Sequence, residues 1–353
     1  MWSLRQGRPQ CSASAGSTRR HAIKPFTVVR PGVRAVARGA TLQPLAAAER
    51  EGTSYDALWD AFASKVQGEW EGVTVTFNAE GAPQPLPERY VPGAYREWGV
   101  ELFDWQSQSS CIVPQEGTGR GLRNFFKRLM PTVGCEADAI AYVEEAEDVW
   151  REDGGSAVKP VTPAGGYVAA PAELPARGKA KVEACLAAPG GRSRLRAVVT
   201  LMQHWESKEW QLAFVDLSRE TYDGPFNGGV ELSGCAGGGK PFAKEPATSP
   251  QQLGPGSSWL AKEVYRYAIS AGTTGLELQP GAGLAAPAAS VATAADSAAV
   301  MMLPLGVWVS CAGAKSDVRV EVGALRGDSE REVAVCRYAE GRLAEVVLAS
   351  EAK

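Results

Sequence analysis

Histidine is almost missing from this sequence: His21 and His204 are the only two among 353 residues. One histidine in the body of the chain, with no cysteine cluster beside it, cannot supply a zinc set, and a serine triad would have to be built on His204 itself. Its setting, His204-Trp-Glu206 in the turn of an expected hairpin, suits a solvated residue better than a base. Clustered cysteine is missing too. The seven, Cys11, Cys111, Cys135, Cys185, Cys235, Cys311 and Cys336, lie too far apart for a C-x-x-C redox or metal motif and read as buried small hydrophobes. No metal and no cofactor is called for. Long apolar runs are also missing. The best stretch, Gly283 to Leu303, is mostly alanine and is interrupted by Pro287 and Asp296. It falls short of the ~18 consecutive apolar residues of a spanning helix, so no transmembrane segment is expected.

Acid is missing before Glu49, while Arg5, Arg8, Arg19, Arg20, Lys24, Arg30, Arg34 and Arg38 stand there among serines and alanines. Basic, serine-bearing, acid-poor and without a continuous apolar core, residues 1–50 have the composition of an organelle transit peptide, disordered in itself. A basic tail that grips nucleic acid is the alternative. Without those eight bases of the total 37, the remainder carries 29 against 40 acids, near −11. So acidic a body is a poor candidate for phosphate-backbone binding, and no nucleic-acid partner is expected.

What is present is mostly strand pattern. Leu58, Phe62 and Val66 recur every four residues and predict a short helix ending near Gly68. Thereafter the period is two: Trp98, Val100 and Leu102; Trp210, Leu212 and Phe214; Val318, Val320 and Val322. Further strands are expected at Gly166–Ala170, Leu195–Met202, Val264–Ile269, Leu303–Ser310, Val333–Tyr338 and Leu343–Ala349. Many short one-sided runs separated by Gly and Pro predict an all-β, antiparallel protein. Gly237–Ser258, rich in Gly, Pro and Ser, reads as a linker between residues 54–236 and 259–353, and 280–299 as a disordered Ala/Gly/Pro loop. An echo suggests duplication. Arg194 to Met202 leads through a turn to Trp210–Glu220, and Arg331 to Tyr338 leads to Leu343–Glu351, so each hairpin starts on arginine and ends on glutamate.

Other motifs fail on inspection. Gly234-Cys-Ala-Gly-Gly-Gly-Lys240 matches a phosphate loop on paper, but Pro241 removes the hydroxyl and the amide that such a loop needs. Glu144-Glu145 and Glu69/Glu71 have no spacing that singles out an acid and a base. Residues 119–130 form the one basic amphipathic stretch. As a helix they would gather Leu122, Phe125, Phe126 and Leu129 on one face, able to cover a barrel end or make peripheral contact with a membrane.

Gly68-Glu-Trp70 resembles the G-x-W signature of lipocalins and the wider calycins. The resemblance implies that Trp70 plugs a barrel's closed end under an arginine of the last strand, here Arg194 or Arg196. It implies Trp259 and Arg337 as counterparts in the second half, where the glycine two residues earlier is lacking. With Trp70 inside, Thr74 and Thr76 would be inside too, unless a bulge near Gly72 returned Val73, Val75 and Phe77 to the interior. Longer stretches carry a sharper likeness. Gly68-Glu-Trp-Glu-Gly, Tyr95-Arg-Glu-Trp-Gly-Val-Glu-Leu-Phe-Asp-Trp105, Leu129-Met-Pro-Thr-Val-Gly-Cys-Glu-Ala-Asp138, Tyr222-Asp-Gly-Pro-Phe-Asn227 and Leu303-Pro-Leu-Gly-Val-Trp-Val-Ser310 resemble a plant and algal branch of the domain of unknown function 3598 family. That family is similar to calycins and occurs in cyanobacteria and chloroplasts.

The expectation is therefore two tandem calycin-like barrels in the chloroplast, in the stroma or on the stromal membrane surface. The leading function is non-catalytic binding of a small hydrophobic molecule, a pigment, tetrapyrrole or lipid. A structural or assembly factor of a chloroplast protein complex is the alternative. An enzyme, such as a chromophore-attaching lyase or an isomerase, would need a barrel-facing polar set that the sequence pattern does not display.

Overall fold

Ser54, the first residue described, accepts the Ala57 amide on its hydroxyl at 3.2 Å, which caps α1 (Tyr55–Val66). Asp56 in the first turn and Lys65 in the last suit the helix dipole, and Leu58, Trp59, Phe62 and Val66 are buried along one side. Gly68 then turns the chain at φ +124°, beside Gly224 O, where a Cβ would come within 2.5 Å. Only glycine fits that position. This computed structural model describes residues 54–114, 120–131, 140–151, 159–228, 240–269, 276–279, 288–293, 300–314 and 317–353. The basic segment 1–50, expected to be a transit peptide, and the glycine-rich 229–239 lie outside them.

Two antiparallel sheets of eight strands follow. The first holds β1 (Gly68–Asn78), β2 (Asp104–Ile112), β3 (Gly121–Pro131), β4 (Ile140–Arg151), β5 (Tyr167–Ala169), β6 (Lys179–Ala187), β7 (Ser193–Gln203) and β8 (Trp210–Gly224). Their order is β4-β3-β2-β1-β8-β7-β6-β5, so the first strand pairs with both the second and the last. That is the closure of an up-and-down barrel, with its seam between β4 and β5. The sheet curls far enough for Arg196 on β7 to sit 4.6 Å above the Phe126 ring on β3, across the interior. The second sheet holds β9 (Leu260–Ile269), β10 (Leu276–Leu278), β11 (Ala288–Ala289), β12 (Val300–Met302), β13 (Val307–Ala314), β14 (Asp317–Arg326), β15 (Glu330–Ala339) and β16 (Arg342–Ala352). Its order, β10-β9-β16-β15-β14-β13-β12 with β11 against β9, repeats the closure of first strand on last. The protein is thus all-β, two tandem calycin-like barrels with a few short helices.

The largest apolar core lies between the barrels. Val73, Val75 and Phe77 of β1, with Val182 of β6 and Val199 of β7, join Val320 and Val322 of β14 and Cys336 of β15 in one buried cluster. Polar clasps cross the same junction: Tyr267 Oη donates to Val161 O at 2.6 Å, Tyr338 Oη to Pro171 O at 3.1 Å, and Arg326 to Leu186 O at 3.0 Å.

This placement corrects the expected parity. The β1–β8 register does shift, but between Glu69 and Trp70 rather than at Gly72, and Thr74 and Thr76 stay inside. The apolar set has no need to turn inward, because it is buried outward against the other barrel. Other expectations also change. Trp98, Val100 and Leu102 are not a strand; they follow α2 (Gly93–Glu97), and β2 starts only at Asp104. Residues 121–130 of the basic stretch lie in strand β3, so Leu122 and Phe126 point in while Arg123, Phe125 and Lys127 point out. The helical apolar face from which a membrane contact of 119–130 was expected is therefore not formed. In Gly237–Ser258, the described residues from Lys240 on are anchored. Phe242 is buried with its amide on Asp104, and α3 (Pro250–Leu253) buries Leu253. In 280–299, residues 288–293 pack on the second barrel, with the Val291 amide on Glu351 at 2.6 Å.

Candidate functional site

Each barrel carries the same closed end. Trp70 is buried with its indole N–H on Val66 O at 3.0 Å, and Arg194 lies 3.9 Å above its ring. Arg194 in turn bonds Glu220 at 2.6 Å and Ser109 Oγ at 2.8 Å. In the second barrel Trp259 is buried, donates to Leu253 O at 2.5 Å, and lies 4.1 Å under Arg331. Arg331 bonds Glu351 at 2.7 Å and Ser290 Oγ at 2.8 Å. Of the two arginines proposed for Trp70, then, Arg194 covers the indole, while Arg196 pairs with Glu220 at 2.9 Å and faces the lumen. Arg337 does not cover Trp259. It is 60% exposed at the far end of β15 and pairs with Glu345 at 3.2 Å. Six residues along an untwisted strand carry a side chain roughly 20 Å away.

The registers allow the lumens to be compared row by row. In both, the first row is arginine with glutamate, Arg194 opposite Glu220 and Arg331 opposite Glu351. One step inward, the first barrel has Arg196, Ser218 and Thr74, with Thr74 and Ser218 hydroxyls 2.7 Å apart. The second barrel has Val333, Ala349 and Val264 in that row. A step further, Val198 opposite Asp216 becomes Val335 opposite Val347. The adjoining strands follow suit: Tyr167 donates to Glu183 at 2.5 Å in the first barrel, and Trp308 donates to Glu321 at 3.0 Å in the second. The Trp308 ring covers Gly323, where a Cβ would come within 2.0 Å of it, and packs with Leu253, Ala292, Val333, Val335 and Val347. The second lumen is filled by its own side chains. The first is lined by half-buried groups: Arg128, Asp216, Phe126, Asn124, Arg196 and Glu183.

Charges in the first lumen are held in pairs. Burial alone would raise Glu220, but the Arg194 and Arg196 guanidiniums outweigh it and hold the carboxyl at about 2. Burial also opposes the charge on Arg194 and Arg196, and Glu220 raises both above the ordinary arginine value. Arg128 faces Asp216 at 3.5 Å, and Thr76 donates to that same carboxylate at 2.5 Å. Near the β4–β5 seam, Lys159 lies 4.8 Å from the Tyr167 ring centre. Asp148 is pushed up by burial, with Glu183 adding to the rise and Lys159 opposing it. Burial pushes Tyr167 well up and takes Cys111 and Cys185 to about 12, which favours the neutral form of all three. Among the described residues no group of His, Cys, Asp and Glu could hold a metal ion, and no helix is long and apolar enough to cross a membrane. His204 sits in the exposed 204–209 turn, where its Nδ1 accepts the Ser207 amide. The site can therefore hold a molecule with both polar edges and a flat face, through guanidiniums, carboxylates, hydroxyls and the Phe126 ring.

Sequence reasoning missed this set because much of it rides on β2, β3, β4 and β6, which alternate polar residues inward and were not recognised as strands. Arg331 could have been found. The hairpin echo already aligned it with Arg194.

No protein-family model matches the sequence, and no curated protein matches it. Among solved structures, a protein of unknown function from the DUF3598 family of Nostoc punctiforme PCC 73102 is similar in fold. Its TM-score is 0.51 and its identity 15%, over 84% of this chain and 98% of that one. An S-type phycobiliprotein lyase, CPES, from Guillardia theta aligns with 47% of this chain and 93% of its own, at 13% identity and a TM-score of 0.27. At 15% identity the likeness to the Nostoc protein is one of fold alone.

Proposed function

We propose that the first barrel binds one small amphipathic molecule with a flat conjugated face and carboxylate or other polar edges, a description that suits a pigment or tetrapyrrole better than a simple lipid. One observation carries the reading. At matched register positions the first lumen has Arg196, Ser218, Thr74 and Asp216 where the second has Val333, Ala349, Val264 and Val347. Arg196 and Asp216 stay half-buried at the lumen face although they already pair with Glu220 and Arg128, so their remaining polar edges can meet a ligand, and Phe126 beneath Arg196 offers a stacking face. The second barrel, filled by its own residues, serves as the structural half. The acid-free leader and the likeness of the fold support membership of the DUF3598 group and a plastid address.

Titration of the full chain with biliverdin, a linear tetrapyrrole dicarboxylate, and separately with oleate, followed by absorbance and tryptophan quenching, tests the reading. Binding of one biliverdin, weakened about tenfold by Arg128→Gln or by Arg196→Gln, is expected. Oleate bound equally well in both variants would contradict the polar-edge assignment, and no binding of either would contradict the lumen reading. A fluorescent fusion of residues 1–50 should enter chloroplasts.

A further inference from the structure

At the end of the first barrel opposite Trp70, β7 passes into β8 through residues 204–209 and β6 begins. Large apolar side chains are exposed there. Trp205 at the tip of the turn is 74% exposed, with Met202 and Phe214 exposed just below it on the strands. Trp98, 63% exposed, and Val100 lie on the β1–β2 connection, which leaves and re-enters the sheet at the same end. Bases accompany them. Lys179 is the register partner of Met202, Lys181 is the partner of Thr200 next to Phe214, and Arg177 and Lys208 are exposed nearby. Glu206 and Glu209 share the turn, so the attraction rests on the β6 side of the mouth. Indoles prefer the bilayer interface, where the ring is shielded and the N–H stays wet, and lysines with long apolar stems reach anionic headgroups beside them.

We propose that this rim docks on the surface of an anionic bilayer and sets the mouth of the lumen against it. The aromatic tips enter the interface, and the lysine row meets the headgroups. A binding barrel whose ligand dissolves poorly in water gains a direct route for loading from this arrangement. The docking surface goes beyond the lumen reading and is tested apart from it.

The full chain and its Trp205→Ser, Trp98→Ser and Lys179→Glu/Lys181→Glu variants are sedimented with vesicles of phosphatidylcholine, alone or with phosphatidylglycerol. The basic leader is common to all, so its contribution cancels in the ratios. Partitioning onto anionic vesicles should fall about tenfold in Trp205→Ser and by a similar factor in the double lysine variant. Neutral vesicles should bind weakly and show the tryptophan effect alone. Biliverdin titration of Trp205→Ser, which leaves the lumen intact, separates this result from the ligand reading. Equal partitioning of wild type and Trp205→Ser, or sedimentation of neither with either vesicle, would overturn the docking surface.

Discussion

The two barrels differ in what stands one layer above an identical closed end. Both place an indole under an arginine, bond that arginine to a glutamate of the last strand, and add a serine hydroxyl as its third partner. Above that layer the second barrel continues in valine and alanine and closes over Trp308, while the first continues in arginine, serine, threonine and aspartate. Closure and contents are therefore separable. The end plug sets the shape, and a few inward positions decide whether that shape is a core or a container.

The largest expected effect is on the plugs. Trp70→Ala and Trp259→Ala should each cost about 3–5 kcal/mol in urea unfolding, since both are buried and bonded. Effects within about 0.5 kcal/mol would make them surface residues in solution. Arg331→Ala should cost nearly as much, about 3–5 kcal/mol, because Glu351 loses its ion-pair partner inside the barrel. Arg194→Ala should cost less, roughly 2 kcal/mol, since Arg196 still holds Glu220. Equal costs would mean that the two closed ends are not arranged as described. A pH series sharpens the same contrast. Glu220 is depressed from 4.5 to about 2, so its stabilisation is complete above 4.5 and is lost as pH falls toward 2. The urea midpoint should drop through that window, and Glu220→Gln, already less stable at neutral pH, should lack the slope. Arg337→Ala marks the small end of the scale, with a change within about 0.5 kcal/mol, because its pair with Glu345 is exposed.

The strands most legible in the sequence were those that bury apolar side chains between the barrels. Val318, Val320 and Val322, or Leu195 through Met202, alternate because their outward face meets the other barrel. The first lumen inverted that signal. Ser107, Ser109, Arg128, Glu183 and Arg196 point inward, and a search for inward hydrophobes passes over them. The basic stretch around Phe125 and Phe126 shows the same failure at closer range. Its apolar spacing fits a helix by count, yet β3 puts successive residues on opposite faces, and tertiary pairing with β2 and β4 decides. The closed end was visible only through resemblance, and the error at Arg337 came from setting aside the alignment of the two hairpins.

Val198 and Val335 stand four residues beyond Arg194 and Arg331, at the same level of the two lumens. Val198 is half-buried, whereas Val335 is 1% exposed among Trp308's neighbours. The measurement is the urea stability of Val198→Phe against Val335→Phe. An open first lumen and a filled second predict that Val335→Phe loses about 1–3 kcal/mol by overpacking while Val198→Phe stays within about 0.5 kcal/mol. Equal losses, or a larger loss at Val198, would contradict the distinction between container and core.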